Sequence, residues 1–392
     1  MKRITIMICL LLLFLSMKGQ NVTNYTGTRN YTAEKTYLDA TSQTGTNVRS
    51  VSDITYTDGF GRKWQEIQVA GSPSGTSDLM IPYEYGVLGQ VEREYLPYVK
   101  AGNNGAFDTD MFASSNWNMY ETEEQSYAFT RIQYEQNPLG MVTQQTGPGK
   151  TWHSNRKSTN IIYEVNQNQE VKLYKTSTNG TLSLNGHYSI GTLQKTTSTD
   201  EDGHKTETFI DNTDKTVLTV AFDGSERMET YYVYDDRDRL RYMLPPVAVS
   251  QLTTTIINTS VLEKLAYYYE YDHLNRMIIK RLPGCKPIYM VYDWQDRLIL
   301  AQNGKQRTEN SKKWSYFVYD SQNREVESGE ITTTATSTHQ QLQQEAWKKD
   351  VYLPQGVRVP LMYTVYDNYK VTTQVTAHPF SVVAGYGGNY NR

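Results

Sequence analysis

The residues of this chain with most chemistry to offer are six histidines, a mid-chain cysteine and several close carboxylates. Their spacing argues against the usual reactions. His153, His187, His204, His273, His339 and His378 include no pair at i, i+4 and no metal-ligand spacing, so a zinc site lacks its basic pattern. Cys285 lies in LPGCKPIY with no histidine within ten residues on either side, and reads as an inert turn thiol. Asp235 with Asp236, and Asp200 with Asp202, suit turns better than an acid–base pair. TGPGKTWH, residues 146–153, has Gln144 where a phosphate loop needs its first glycine; with no strand-to-helix transition evident, it reads as a Pro/Gly turn. YTDGFGR lacks the further acids of a helical calcium loop, and Gly-x-Ser-x-Gly is missing. The expectation is a protein with no reaction centre, metal or cofactor.

Bulk composition points to strands. Of 392 residues, 39 are basic and 42 acidic, for a formal charge of −3. Without a block of one sign the chain has no electrostatic footprint for nucleic acid. A 38% hydrophobic content is enough to fold. Tyrosine is the outlier, at 32 copies against 9 phenylalanines, and tyrosine suits a half-wet pleated surface where its hydroxyl finds a partner.

One frame recurs. YYVYDDRDRL at 231, YYEYDHLNRM at 268, YMVYDWQDRL at 289 and YFVYDSQNRE at 316 align, and YTVYDNYKVT at 363 keeps the first half. Each repeat reads as a strand ending in Tyr234, Tyr271, Tyr292 or Tyr319, a polar turn opened by Asp235, Asp272, Asp293 or Asp320, and a return strand led by Arg239, Arg276, Arg297 or Arg324. A type I turn closing with a bulge needs a left-handed residue in fourth place. Asp238, Asn275, Asp296 and Asn323 stand there, the types that tolerate that backbone next best to glycine. Glycine there is expected to be neutral or mildly stabilising. The arginines, at one fixed offset, are expected to cover tyrosine rings or bond the turns of neighbouring hairpins, forming a ladder that locks register.

Weaker copies lie upstream: Asp58, Gly59, Gly61 and Arg62; Gly86 and Gln90; Asp211, Asp214 and Lys215. The irregular spacing of the repeats leaves room for short helices, best read at VLEKL near 261 and QQLQQEAWKKD near 340. The start of the chain has Lys2 and Arg3, an apolar run Ile4–Leu15, and Ser16 and Gly19. It reads as a secretory signal peptide over 1–20, cleaved near Gly19 or Gln20, because the run is too short for the ~20 residues of a membrane span. The mature chain is expected to be exported, with no transmembrane segment and no internal disulfide.

These residues resemble a known family. The Tyr-Asp hairpins, with DITYTDGFGRKWQEIQVAGSPSG, YEYGVLGQVEREYLPYV and YMVYDWQDRLILAQNGKQR, look like the N-terminal region of Rhs-type, or YD-repeat, proteins of Bacteroidetes, over roughly residues 45–330. The resemblance implies an all-β chain whose successive antiparallel hairpins build a curved, open partial shell with short helical insertions. It divides the sequence into an Rhs-associated β domain over 21–155 and a hairpin wall over 156–392. In this family such walls wind into hollow shells around a C-terminal toxin, and a core segment near the end closes the cage. The sequence reaches Arg392 without a recognisable core segment or cargo. The expectation is therefore a non-enzymatic, toxin-associated scaffold piece whose open last edge is completed by another protein chain; a truncated product, a split component and a free-standing module all remain open. The alternative is a cell-surface adhesin that binds carbohydrate or protein through exposed tyrosines.

Overall fold

The computed structural model describes residues 29–38, 50–155, 157–252, 257–309, 312–334, 336–348, 353–364 and 366. The signal-peptide reading, His378 and the turn of the fifth repeat lie outside the described residues. Strand makes up 47% and helix 12%, so the chain is all-β: 21 strands form one antiparallel sheet that does not close, and two more form a separate ribbon. Among the described residues no helix is long and apolar enough to cross a membrane.

The chain divides into two compact units, residues 1–162 with 197–205, and residues 163–196 with 206–392.

In the first unit, strand Asn30–Tyr37 pairs with Ser50–Thr57, which pairs with Lys63–Val69 and so on to Ser77–Tyr85. Ser77–Tyr85 is shared: its start pairs with Tyr98–Ala101 and its end with Val91–Tyr95. Val91–Tyr95 continues into Phe129–Tyr134 and then Val142–Thr146. Period-two alternation puts Ile54, Tyr56, Ile67 and Met80 on one buried face. The segment after Ala101 packs Met111 and Trp117 against that face. TGPGKTWH is not only a turn: strand Val142–Thr146 leads through Gly147, Pro148 and Gly149 into a helix, Lys150–Ser154. That transition, unexpected from the sequence, makes no phosphate cradle, since Lys150 Nζ pairs with Glu123 and its backbone N–H donates to Glu124 Oε2 at 2.6 Å.

The second unit is a meander. Four hairpins follow one another: I, Glu226–Tyr234 with Leu240–Leu244; II, Tyr267–Tyr271 with Met277–Arg281; III, Ile288–Tyr292 with Leu298–Gln302; IV, Lys313–Tyr319 with Glu325–Thr333. Within each, the ladder slips by one residue just past the turn, so Tyr234 faces Leu240 while Val233 faces Tyr242. The bulged residues are Arg241, Ile278, Ile299 and Val326, and such a bulge bends the strand and increases its twist. Hairpins join more sparsely than their own strands do. Only Tyr242–Tyr268 and Met243–Tyr267 register I with II, only Ile279–Tyr289 and Lys280–Ile288 register II with III, and only Leu300–Tyr316 and Ala301–Ser315 register III with IV.

Helices Thr259–Leu265 and His339–Ala346 fall where the sequence suggests them, the second opened by a Thr338–Gln341 capping box. Strand Gly356–Tyr363 pairs with Glu325–Thr333, its one strand partner among the described residues. Thr334 N–H donates to Gln355 O at 2.9 Å; in this register Val357 and Val359 aim their backbone groups at Glu325–Thr333, and Arg358 and Pro360 aim theirs at the opposite edge, which no described strand covers.

A tyrosine–aspartate–arginine ladder as the candidate functional site

Each repeat closes on itself first. Asp235 N–H donates to Arg239 O at 2.9 Å and Asp238 N–H donates to Asp235 O at 3.0 Å, and the same two bonds recur in the turns at Asp272, Asp293 and Asp320. Asp238, Asn275, Asp296 and Asn323 have φ of 63°, 64°, 63° and 62°, the left-handed region that costs most side chains energy. The opening carboxylate then clasps its own arginine. Arg239 Nε reaches Asp235 Oδ2 at 2.9 Å, Arg276 reaches Asp272 at 2.8 Å, Arg297 reaches Asp293 at 2.7 Å and Arg324 reaches Asp320 at 2.8 Å. Burial alone would raise the Asp235 pKa, but the Arg239 guanidinium and the backbone N–H groups of Arg239 and Arg237 outweigh it and hold the carboxyl below its ordinary value.

The same guanidinium crosses to the next hairpin. Arg239 Nη1 donates to Asp272 O at 2.8 Å and Asn275 Oδ1 at 3.2 Å. Arg276 Nη1 donates to Asp293 O at 3.0 Å and Asp296 Oδ1 at 2.8 Å, and Arg297 Nη1 to Asn323 Oδ1 at 3.1 Å. Each also covers the next tyrosine: Arg239 over Tyr271 at 5.2 Å, Arg276 over Tyr292 at 5.0 Å, Arg297 over Tyr319 at 5.3 Å and Arg324 over Tyr366 at 4.4 Å.

The tyrosine returns the contact. Tyr234 OH donates to Thr216 O at 2.9 Å, Tyr271 OH to Leu240 O at 3.1 Å, Tyr292 OH to Met277 O at 2.9 Å and Tyr319 OH to Leu298 O at 2.9 Å. In every case the acceptor is the residue just after the previous repeat's cation. Desolvation raises the pKa of all four hydroxyls, so they remain donors well above neutral pH. Where hairpins share only two registered pairs, a charge-assisted bond, a cation–π contact and a tyrosine bond together set the junction.

Residues 27–165 match a family described as Domain of unknown function (DUF6443). No curated protein matches the sequence. The crystal structure of TcdB2-TccC3 without hypervariable C-terminal region superposes with TM-score 0.51 at 14% identity, and that of TcdB2-TccC3-Cdc42 with TM-score 0.50 at 14%. Each match covers 84% of this chain and 15% of the other. At such identity the likeness concerns the fold: the β architecture of this chain is that of a stretch of the TcdB2-TccC3 chains.

The turn itself is commoner than the sequence frame. The same five-residue closure, with glycine left-handed, occurs at Asp58–Arg62, Gly86–Gln90, Ser177–Thr181 and Asp200–His204, and with Asp214 at Asp211–Lys215. Only some carry the clasp: Arg62 Nε meets Asp58 Oδ2 at 2.7 Å and covers Tyr85 at 4.5 Å, whereas Gly86 and Gln90 have no carboxylate and no cation to offer. Sequence reasoning gave the ladder's direction but not which turn atom receives it, and it missed Arg241. Aspartate or asparagine occupies the left-handed position not only because it tolerates that backbone, but because its side chain accepts the preceding cation: Asp238 receives Lys215 at 3.0 Å just as Asn275 receives Arg239. Arg241, buried at the bulge where the other three hairpins hold Ile278, Ile299 and Val326, donates to Tyr268 OH at 3.0 Å. Its signal was available, as the one cation at that place in the aligned frame. Cys285 is an exposed free thiol, and His153, His204 and His339 each serve a local contact, to Phe129 O, Asp200 and Met290 O.

Proposed function

We propose that this chain is a non-enzymatic wall segment of an exported, toxin-associated Rhs-type assembly, in which the ladder fixes hairpins side by side and another polypeptide extends the sheet. The observation that carries this reading is the recurrence of a cation over the tyrosine of the next repeat, from Lys215 on Tyr234 to Arg324 on Tyr366, joined in the first four cases by a bond or ion pair to the left-handed residue of the next turn. Its chemistry is spent on neighbouring wall, leaving those side chains nothing to offer a substrate. Fold likeness to TcdB2-TccC3 supports it. The last strand among the described residues adds a place for the partner: Val357, Val359 and Leu361 are 70%, 53% and 60% exposed, beside edge groups that an added strand would satisfy. Because Pro360 offers no N–H, such pairing would lie on its flanks. The adhesin reading has less support, since the ladder's tyrosine rings are covered by arginines.

Cryo-electron microscopy of particles isolated from the producing cells tests this. The expected map shows the stacked hairpins continued, beyond residues 356–363, by a strand of a second polypeptide. A chain found as separate particles with that strand facing solvent would sink the proposal.

A further inference from the structure

The seam between hairpins II and III is closed by a helix as well as by strands. Past the Ile279–Tyr289 pair the two strands part, and side chains of helix His339–Ala346 take the backbone groups that a ladder would have used. Tyr292 N–H donates to Gln343 Oε1 at 2.9 Å, and Gln343 Nε2 donates to Tyr292 O at 2.6 Å. The carboxamide thus stands in for one residue of a β-ladder. His339 Nε2 lies 2.7 Å from Met290 O; a carbonyl can only accept, so Nε2 carries the proton. The helix seats Leu342 and Ala346 in the cluster around Trp314 and Ile331, and beside it lies a cleft of ≈ 600 Å³ lined by Glu270, Asp272, Tyr289, Arg307, His339 and Gln343.

We infer that this helix is an acid-released clasp on the seam, with the His339 imidazole as its trigger. The imidazole stacks on Tyr289 at 5.1 Å and 13°, and the Arg307 guanidinium carbon sits 4.2 Å from the same ring. A second positive charge there is taken from water, faces Arg307, and stands at the first turn of a helix whose free N–H groups disfavour cations. From the strand of hairpin II, Glu270 opposes this by favouring the imidazolium, though it already accepts Tyr268 OH at 3.0 Å. Asp272, from the same hairpin, is held by Arg276 at 2.7 Å. Burial, ahead of the other influences, pushes the His339 pKa below its ordinary value. The docked form is therefore the neutral form. Its full stability is present above the free-imidazole pKa of about 6.5 and falls as the pH drops toward the lower docked value, up to about tenfold per pH unit. Release would bare Met290 O and both backbone groups of Tyr292, opening the seam to another strand.

The amide of Tyr292 reports docking directly. Hydrogen exchange on the full chain, corrected for intrinsic rates, should show its protection falling up to tenfold per pH unit below about pH 6.5. In His339→Gln, which keeps a donor but cannot titrate, protection should be flat with pH; Arg307→Gln should shrink the fall, and Glu270→Gln should deepen it. Equal pH dependence in the parent and His339→Gln would overturn the inference. Should that variant not fold, an NMR titration of the parent decides: His339 must titrate below 6.5 while exposed His204, raised by Asp200, titrates above it. His339 titrating at 6.5 or higher refutes the clasp.

Discussion

The two units use one turn but hold it in different ways. In the second, consecutive cations from Lys215 to Arg324 hand each turn to the next. In the first, the series breaks after Arg62, because Gly86 and Gln90 carry no charge. Long-range bonds replace it there. Tyr98 OH donates to Asp108 Oδ2 at 2.6 Å, Asp108 N–H donates to Gln65 Oε1 at 2.9 Å, and Asp78 Oδ1 accepts Ala70 N–H at 2.9 Å, with all four side chains buried. Tyr95 stacks on Trp117 at 4.9 Å and meets Phe129 at 5.3 Å. A sheet of short hairpins can be locked either turn by turn, through repeated and largely shielded ion pairs, or once, through a loop folded over its face. The first solution extends indefinitely, while the second belongs to one place.

The largest effect should come from breaking the single lock. Asp108→Ala leaves Tyr98 OH, the Asp110 N–H and Lys100 without their acceptor in a site 2% exposed, and should destabilise the first unit by roughly 3 kcal/mol in urea unfolding. One ladder rung should be worth less. Arg276→Ala strands the partly buried Asp272 and unties Asp293 and Asp296, for about 2 kcal/mol, and Arg276→Lys should recover little because the fork is lost. A rung change as costly as Asp108→Ala would erase the distinction between a distributed lock and a single one.

Turn substitutions separate the units further. Asn275→Gly relieves the left-handed backbone but removes an acceptor of Arg239, so a net loss of about 1 kcal/mol is expected. Gly61→Asn, in a turn that no cation of a neighbouring hairpin reaches among the described residues, should change stability by less than about 0.5 kcal/mol. Equal outcomes in melting experiments would show that the side chain at this position is not a receiver. Acid acting on the turn clasps alone should weaken both units alike, and least of all. Asp58 and Asp235 are held below their ordinary values, so their clasps are intact above about pH 4 and are lost as the pH falls through the folded pKa. Thermal melts at successive pH values from 5 to 2.5 check that window.

How much of this could be read from the residues follows the range of each interaction. The turn at Asp272–Arg276 was legible because closure, left-handed backbone and carboxylate clasp all lie within five residues, where residue type dictates geometry. The crossing of Arg239 to Asn275 was legible as a direction, since a fixed offset repeated along a sheet brings like positions together. The bond from Tyr292 to Met277 was not, because it depends on the one-residue bulge at Ile278, which leaves no composition signal. Nor was the Gln65–Asp108 bond, which links residues 43 apart through a loop without periodicity. The helix after Gly149 escaped notice because five residues are too few for an amphipathic pattern.

Pro360 has a consequence for strand Gly356–Tyr363, the last among the described residues. A sheet edge so rich in exposed aliphatics would ordinarily seed unlimited stacking of identical molecules. A missing hydrogen at its centre spoils an uninterrupted match with any long extended strand, while short matches to either side survive. Any strand added on that side would have to straddle the gap, and the same imino acid that weakens such a contact would hinder identical strands from stacking without end.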